Sequence, residues 1–196
     1  MTKSFFTVAI GASAGGLSPL IDFFDHIPIN INCAFVVITH LKRDHRSSLD
    51  ELLSKHTSLP LIRMEKDMQL EVGNIYLLIE NTAVKITNGY LKVEARDDKV
   101  ANSSVNIFFK SLADDCGEMG IGIILSGGGY DGLEGAKRIN ERGGKVMVQD
   151  PSTAEIQGMP LSIIDFDHPV AVLKPADLAK KLIHMCAPPA NKQTAE

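Results

Sequence analysis

Near-continuous apolar runs rich in β-branched residues alternate along the chain with stretches in which hydrophobic positions recur every three to four residues. Residues 5–10 and 33–39 are runs of the first kind, and residues 17–24 between them have helical spacing, so the chain opens as a βαβ unit. Leu49, Leu52 and Leu53 share one helical face, which predicts a helix over 44–56 with Asp44 or Ser47 at its start. The rhythm changes between 60 and 100. There, 75–79, 84–86 and 91–93 are short strand candidates, and Thr87-Asn88-Gly89 reads as a hairpin turn, so a small antiparallel excursion is expected around residues 75–95. The earlier rhythm then resumes with a helix over 105–113, a strand over 120–125, a helix over 132–142, a strand over 145–149 and a last helix over 175–185. Strands that are apolar on both sides must be covered on both sides. The expected class is therefore α/β, a doubly wound, mostly parallel sheet with helices on both faces.

Composition narrows the picture without changing it. The 196 residues are 44% hydrophobic, enough for one sizeable core, so a single domain over 1–186 is expected, followed by a flexible tail at 187–196 of Ala, Pro, Asn and Gln character. No apolar run approaches the roughly 18–20 residues of a membrane helix, so no membrane insertion and a cytoplasmic location are expected. The three cysteines, Cys33, Cys116 and Cys186, have no C-x-x-C spacing and suggest neither a disulfide framework nor a zinc site. A net charge of −4 argues against nucleic acid as a partner. One local basic group, Lys42, Arg43, His45 and Arg46, is either a solvated helix start or a patch that steers an acidic partner.

In a doubly wound sheet, ligands bind beyond the C-terminal ends of the strands. The first strand ends in Gly11-Ala12-Ser13-Ala14-Gly15-Gly16, the second in Thr39-His40-Leu41, and the 120–125 strand in Ser126-Gly127-Gly128-Gly129-Tyr130-Asp131-Gly132. A serine, a histidine and an aspartate thus reach one edge of the sheet. A serine hydroxyl needs an imidazole to take its proton, and the imidazole needs a carboxylate to fix its tautomer. Gly11-x-Ser13-x-Gly15 has the form of a nucleophile elbow, whose following helix offers backbone N–H groups to an oxyanion. Taken alone, this turn is also compatible with an ordinary glycine-rich strand-to-helix connection, His40 with a surface histidine, and Asp131 with a helix-capping turn.

Four blocks in order resemble the catalytic domain of the chemotaxis methylesterase (CheB) family: Gly-Ala-Ser13-Ala-Gly-Gly, the His40-Leu pair, Ile-Leu-Ser126-Gly-Gly-Gly-Tyr-Asp131-Gly, and Gln149-Asp-Pro-Ser-Thr-Ala-Glu155-x-x-Gly158-Met159-Pro160. The resemblance spans about residues 5–185. It implies a hydrolase that removes methyl groups from glutamyl methyl esters of chemoreceptors and also deamidates receptor glutamines. Ser13 is then the nucleophile, His40 the base and Asp131 its orienting group. Backbone N–H groups at Ala14 and in the loop with Gly128 and Gly129 would form the oxyanion hole, with Met159 shaping the substrate groove. No cofactor and no metal are implied. The implied partners are methylated cytoplasmic receptor helices, together with a receptor methyltransferase or a response regulator acting in trans, because the chain reads as a stand-alone catalytic domain with no attached receiver.

Three positions depart from the family pattern. Gly128 stands where a larger side chain is usual, Leu161 where Arg is common, and Asn106 where an acidic residue is common. A catalytically weakened receptor-binding module is therefore one alternative. A Rossmann-type nucleotide-binding protein is another, although Ser13 occupies the middle glycine position of G-x-G-x-x-G and no acidic residue ends the second strand. An ordinary α/β hydrolase would need its histidine last in chain order, at His168 or His184. Metal hydrolysis lacks the H-E-x-x-H pair.

Overall fold

The computed structural model describes residues 4–40, 46–96 and 103–187. Ten strands, β1 (Phe6–Ala12), β2 (Cys33–Thr39), β3 (Leu61–Arg63), β4 (Met68–Gln69), β5 (Ile75–Leu77), β6 (Thr82–Thr87), β7 (Tyr90–Ala95), β8 (Gly120–Ile124), β9 (Lys145–Gln149) and β10 (Ala171–Leu173), form two sheets. Six helices accompany them: α1 (Leu17–Phe24), α2 (Leu49–Leu53), α3 (Ser104–Cys116), α4 (Leu133–Glu141), α5 (Gly158–Phe166) and α6 (Pro175–Cys186). The main sheet has seven strands in the order β10-β9-β8-β1-β2-β5-β3, with every neighbouring pair parallel. The expected α/β class holds.

Two-residue alternation along these strands builds a core on each face of the sheet. Val8, Ile10, Phe35, Val37, Ile121, Ile123 and Met147 point toward α1, α2 and α6, where Leu20, Phe23, Phe24, Leu53, Leu178 and Leu182 pack on them. Ala9, Val36, Ile38, Ile124, Val146 and Val148 face the other way, onto Phe108, Phe109 and Leu112 of α3, Ile139 of α4 and Met159 and Ile163 of α5. All these side chains are buried. The small second sheet, β4-β7-β6, is antiparallel and adds Val84, Ile86 and Leu91 to that second core.

Several boundaries differ from expectation. The sequence pattern places residues 75–79 in the antiparallel excursion, but β5 lies inside the parallel sheet between β2 and β3. Ile75, Tyr76 and Leu77 are almost fully buried, as a parallel strand covered on both faces requires. The excursion proper is the β6–β7 hairpin with β4 alongside, turned by Asn88 and Gly89, both at positive φ. Among the described residues, the helix expected over 44–56 is regular only over Leu49–Leu53; the Ser47 hydroxyl accepts the Leu49 N–H, and Asp44 falls outside the described residues. Most of the expected tail, 188–196, also falls outside them. The basic group at Lys42, Arg43 and His45 does so too, and its remaining member, Arg46, is ion-paired with Asp50 and Glu51. Among the described residues no helix is long and apolar enough to cross a membrane.

Candidate active site

β1 runs up the middle of the sheet, flanked by β2 and β8. The chain winds outward from β1 through β2, then returns to the opposite side of β1 as β8, so the switch of direction lies at the C-terminal end of β1. Ser13 is the first residue beyond that end. Its backbone N–H donates to the Ser126 carbonyl at 2.9 Å, and its carbonyl accepts the Gly16 N–H at 2.9 Å, closing a tight turn into α1. Gly15 sits at φ +71°, and a Cβ there would stand 2.6 Å from Cβ of Glu155 and 2.8 Å from Oγ of Ser126. Only glycine meets both demands.

His40 follows β2 on the adjacent strand, and its Nδ1 lies 3.1 Å from Ser13 Oγ. Its Nε2 lies 2.7 Å from Oδ2 of Asp131, in the loop beyond β8. Serine, imidazole and carboxylate therefore form one hydrogen-bonded row across three neighbouring strand ends. An ionised carboxylate can only accept, so the imidazole proton sits on Nε2 and the Nδ1 lone pair faces the serine hydroxyl. The imidazole is partly open to solvent at 20% exposure, whereas Asp131 is buried.

A buried carboxylate needs partners, and Asp131 finds them at the start of α3. Oδ2 also accepts the Val105 N–H at 3.0 Å, and Oδ1 accepts the Asn106 N–H at 2.9 Å. These are first-turn donors with no partner inside the helix, and the helix dipole favours negative charge there. Asn106 extends the chain of contacts, because its Oδ1 accepts the Gly135 N–H in the first turn of α4 at 2.9 Å.

The glycine loop after β8 is held from below. Gly127 donates its N–H to the Ile156 carbonyl at 3.0 Å and accepts the Met159 N–H at 2.8 Å. A Cβ at Gly127 would lie 2.2 Å from the Met159 sulfur and 3.0 Å from Cβ of Ser13. Met159 is fully buried, and its sulfur backs Gly127. The Gly127 N–H is thus engaged, whereas no acceptor among the described residues takes the N–H of Ala14 or Gly128. Gly128 is exposed, and a side chain there would meet only Ile156, with Cγ2 at 3.7 Å. Gly129 is likewise exposed and at φ +76°, and a Cβ at Gly158 would stand 2.7 Å from its nitrogen. Leu161 lies exposed on α5.

Ser126, in the sequence only one member of a motif, has a structural role of its own. Its buried hydroxyl donates to the Ala14 carbonyl at 2.9 Å and accepts the Ile156 N–H at 3.0 Å, and its own N–H donates to Oε1 of Gln149 at 2.8 Å. It ties the elbow, the β8 loop and the 150–157 segment together. A polar residue at the end of an apolar strand was the only signal in the sequence. Among the described residues no cluster of His, Cys, Asp or Glu could hold a metal ion.

A cleft of about 260 Å³ opens from Ser13 and His40 between α1 and α2. The geometry suits proton transfer from a serine to an imidazole, with helix-turn N–H groups beside it.

Comparison with known proteins agrees with this architecture. The CheB methylesterase family profile matches residues 8–182. A protein-glutamate methylesterase/protein-glutamine glutaminase of Pseudomonas aeruginosa is 32% identical over 178 residues, covering 89% of this chain and 53% of that protein. One from Bordetella avium is 30% identical over 190 residues, covering 94% of this chain and 54% of that protein. The chain thus spans about half the length of these curated relatives. The crystal structure of the Thermotoga maritima CheB methylesterase catalytic domain superposes with a TM-score of 0.84 at 26% identity, covering 93% of this chain and all of that one. The chain belongs to the CheB methylesterase family.

Proposed function

We propose that the protein hydrolyses glutamyl methyl esters on methylated chemoreceptor helices through an acyl-enzyme on Ser13. The observation that carries this reading is the row Ser13 Oγ, His40 Nδ1, His40 Nε2, Asp131 Oδ2, with the carboxylate pinned on the first turn of α3. Ser13 Oγ attacks the ester carbonyl while His40 Nδ1 accepts its proton. The negative charge that develops on the carbonyl oxygen is met by the N–H groups of Ala14, in the turn into α1, and of Gly128, in the β8 loop. His40 returns the proton to the departing methoxy group, and methanol leaves. Water then attacks the acyl-enzyme with His40 as base, releasing the glutamate carboxylate and restoring Ser13. Asp131 holds the imidazole with its Nε2–H inward, so the charged imidazolium forms beside a fixed negative group.

The same sequence of steps releases ammonia from a glutamine side chain, the second activity in the names of the relatives. A receptor methyltransferase or a response regulator acting in trans is the proposed regulatory partner, and the cytoplasm the proposed location. The test is methanol release from methylated receptor fragments, with ammonia release from glutamine-bearing fragments beside it. Ser13→Ala is expected to lose activity by on the order of 10⁴ to 10⁶ fold while remaining folded. Turnover by that variant at the wild-type rate would overturn the mechanism, and wild-type protein that binds receptor fragments without releasing methanol would favour a weakened binding module.

A further inference from the structure

The cleft that opens from Ser13 has an apolar floor of Leu17 and Leu20 from α1 and an opposite wall of Leu49 and Leu52 from α2. A methoxy leaving group has two heavy atoms and takes roughly twice the volume of a water molecule, whose share of liquid volume is about 30 Å³. It leaves most of the cleft's 260 Å³ to something else. Ser13 and His40 line this cleft, so a polypeptide whose ester carbonyl reaches Ser13 has the leucines within reach of a neighbouring side chain.

The α2 wall has only five helical residues, too few to hold a shape unaided. It is instead gripped at its lead-in peptide. The Glu80 carboxylate accepts the Ser47 N–H, and Arg63 Nη1 donates to the Ser47 carbonyl at 3.2 Å. Arg63 Nη2 and Oε2 of Glu80 pair at 3.0 Å, and Arg63 also faces Oδ1 of Asp50 at 3.7 Å. Arg63 ends the edge strand β3, Glu80 follows β5, and both side chains are largely buried, at 17% and 14% exposure. A shielded ion pair does little for net stability, since desolvation offsets its attraction, but it fixes geometry. Both polar groups of one backbone position in the cleft wall are held by it.

We propose that Arg63 and Glu80 are positioning residues that set the α2 wall of the substrate cleft, and that this cleft receives an apolar side chain adjacent to the esterified glutamate. The proposal rests on the methylesterase reading. The experiment compares a methylated receptor peptide with methyl acetate, whose acetyl and methoxy groups are both too small to reach α2. Glu80→Ala and Arg63→Leu are expected to raise KM for the peptide ester about tenfold, with kcat changed by less than about threefold and acetate hydrolysis unchanged. Glu80→Gln, which keeps an oxygen for the Ser47 N–H, should recover part of the loss. Circular dichroism melts identify a variant that merely fails to fold, in which case Glu80→Gln alone decides the matter. Equal losses on both substrates, or no change in KM, would overturn the proposal alone. Wild-type protein that cleaves the acetate and no methylated peptide would overturn the methylesterase reading and this proposal with it.

A second observation stands apart from the site. Cys33 opens β2 and Cys186 closes α6, 153 residues later, yet their sulfurs lie 2.9 Å apart, both buried and both free. The Cys186 side chain and burial together push the Cys33 thiol well above the ordinary thiol range. We infer that a small-molecule disulfide converts this pair to an internal disulfide, stapling α6 to the sheet. The Cys186 thiolate attacks the reagent and expels one small thiol; Cys33 then gives up its proton and attacks Sγ of Cys186, expelling the second. Two protein thiols are oxidised and one reagent disulfide becomes two thiols. After treatment with oxidised glutathione and unfolding, one titratable thiol of the three should remain, with mass lower by two hydrogens. Cys33→Ala should instead retain a glutathione adduct. Three free thiols, or an adduct retained by wild type, would overturn the inference.

Discussion

Replacing Asp131 by Asn keeps the shape of the side chain and exchanges one acceptor oxygen for an NH₂ donor. The carboxylate takes three N–H groups, from His40, Val105 and Asn106, over two oxygens. An amide cannot serve them all. With its oxygen toward His40 and Val105, its NH₂ confronts the Asn106 N–H. Turned the other way, its NH₂ confronts Val105, and the imidazole must shift its proton to Nδ1, where it can no longer accept from Ser13. One buried donor left unpaired costs about 1–3 kcal/mol, and removing the charge from the helix terminus costs a further ~0.3–1 kcal/mol. We therefore expect Asp131→Asn to lose about 1–4 kcal/mol in urea unfolding. The rate should fall further than stability does. Loss of the anion that steadies the imidazolium, together with the wrong tautomer, is expected to lower kcat for methanol release by on the order of 10³ to 10⁴. Both quantities are read from one preparation, by methanol release at saturating substrate and by equilibrium urea titration at the same pH. A variant within threefold of the wild-type kcat would refute the assignment of Asp131 as the orienting group, whatever its stability.

Three further outcomes follow from contacts described above. Gly127→Ala forces a methyl group into the Met159 sulfur and against Ser13, and should cost about 1–3 kcal/mol along with activity; combining it with Met159→Ala should restore part of both if the clash is the cause. Asn106→Ala leaves the Gly135 N–H at the head of α4 without its acceptor, so a loss of about 0.5–2 kcal/mol in thermal or urea unfolding is expected, and an unchanged midpoint would show that water replaces the contact. Burial pushes the Glu80 carboxyl up, but the Ser47 N–H, its own N–H and Arg63 outweigh it and hold it below the ordinary carboxylate range. Its folded value is therefore the lower one, so its stabilising contribution is complete above the unfolded carboxyl value of about 4.3 and is lost as pH falls through the folded value. Glu80→Gln should flatten that part of the acid limb of a stability-against-pH curve, and superimposable limbs would contradict the assignment.

The buried centre of the sheet was legible because its strands are apolar on both faces, a pattern that β1, β2, β8 and β9 carry in unbroken form. The edges were not. β3 and β10 are three-residue strands with partly exposed side chains, too short for any period to register. β5 has the right composition, but its nearness in sequence to the β6–β7 hairpin makes it read as a strand of that small sheet. α5 begins Gly-Met-Pro and is apolar around most of its circumference, so it offers no contrast between faces and was read only as a motif. Within the candidate site, Ser13, His40 and Asp131 were visible as polar residues just past strand ends. Their hydrogen-bonding roles were not visible: that Nδ1 rather than Nε2 faces the serine, that the Gly127 N–H is already engaged, and that Met159 lies beneath the loop depend on distances no spacing encodes. The grip of Arg63 and Glu80 on Ser47, and the meeting of Cys33 with Cys186, join positions 16 to 153 residues apart and likewise have no local signature.

That β1 lies between β2 and β8, with two more strands beyond each of them, has a bearing on how the molecule comes apart. Amides at the heart of a parallel sheet open to exchange only when the whole body unravels, whereas β3 and β10, each bonded on one side, can peel away in isolated fluctuations. Deuterium uptake should therefore begin at the rims and reach the segments bearing the serine and the histidine last. Gentle warming ought to loosen the periphery well before the reactive row is disassembled.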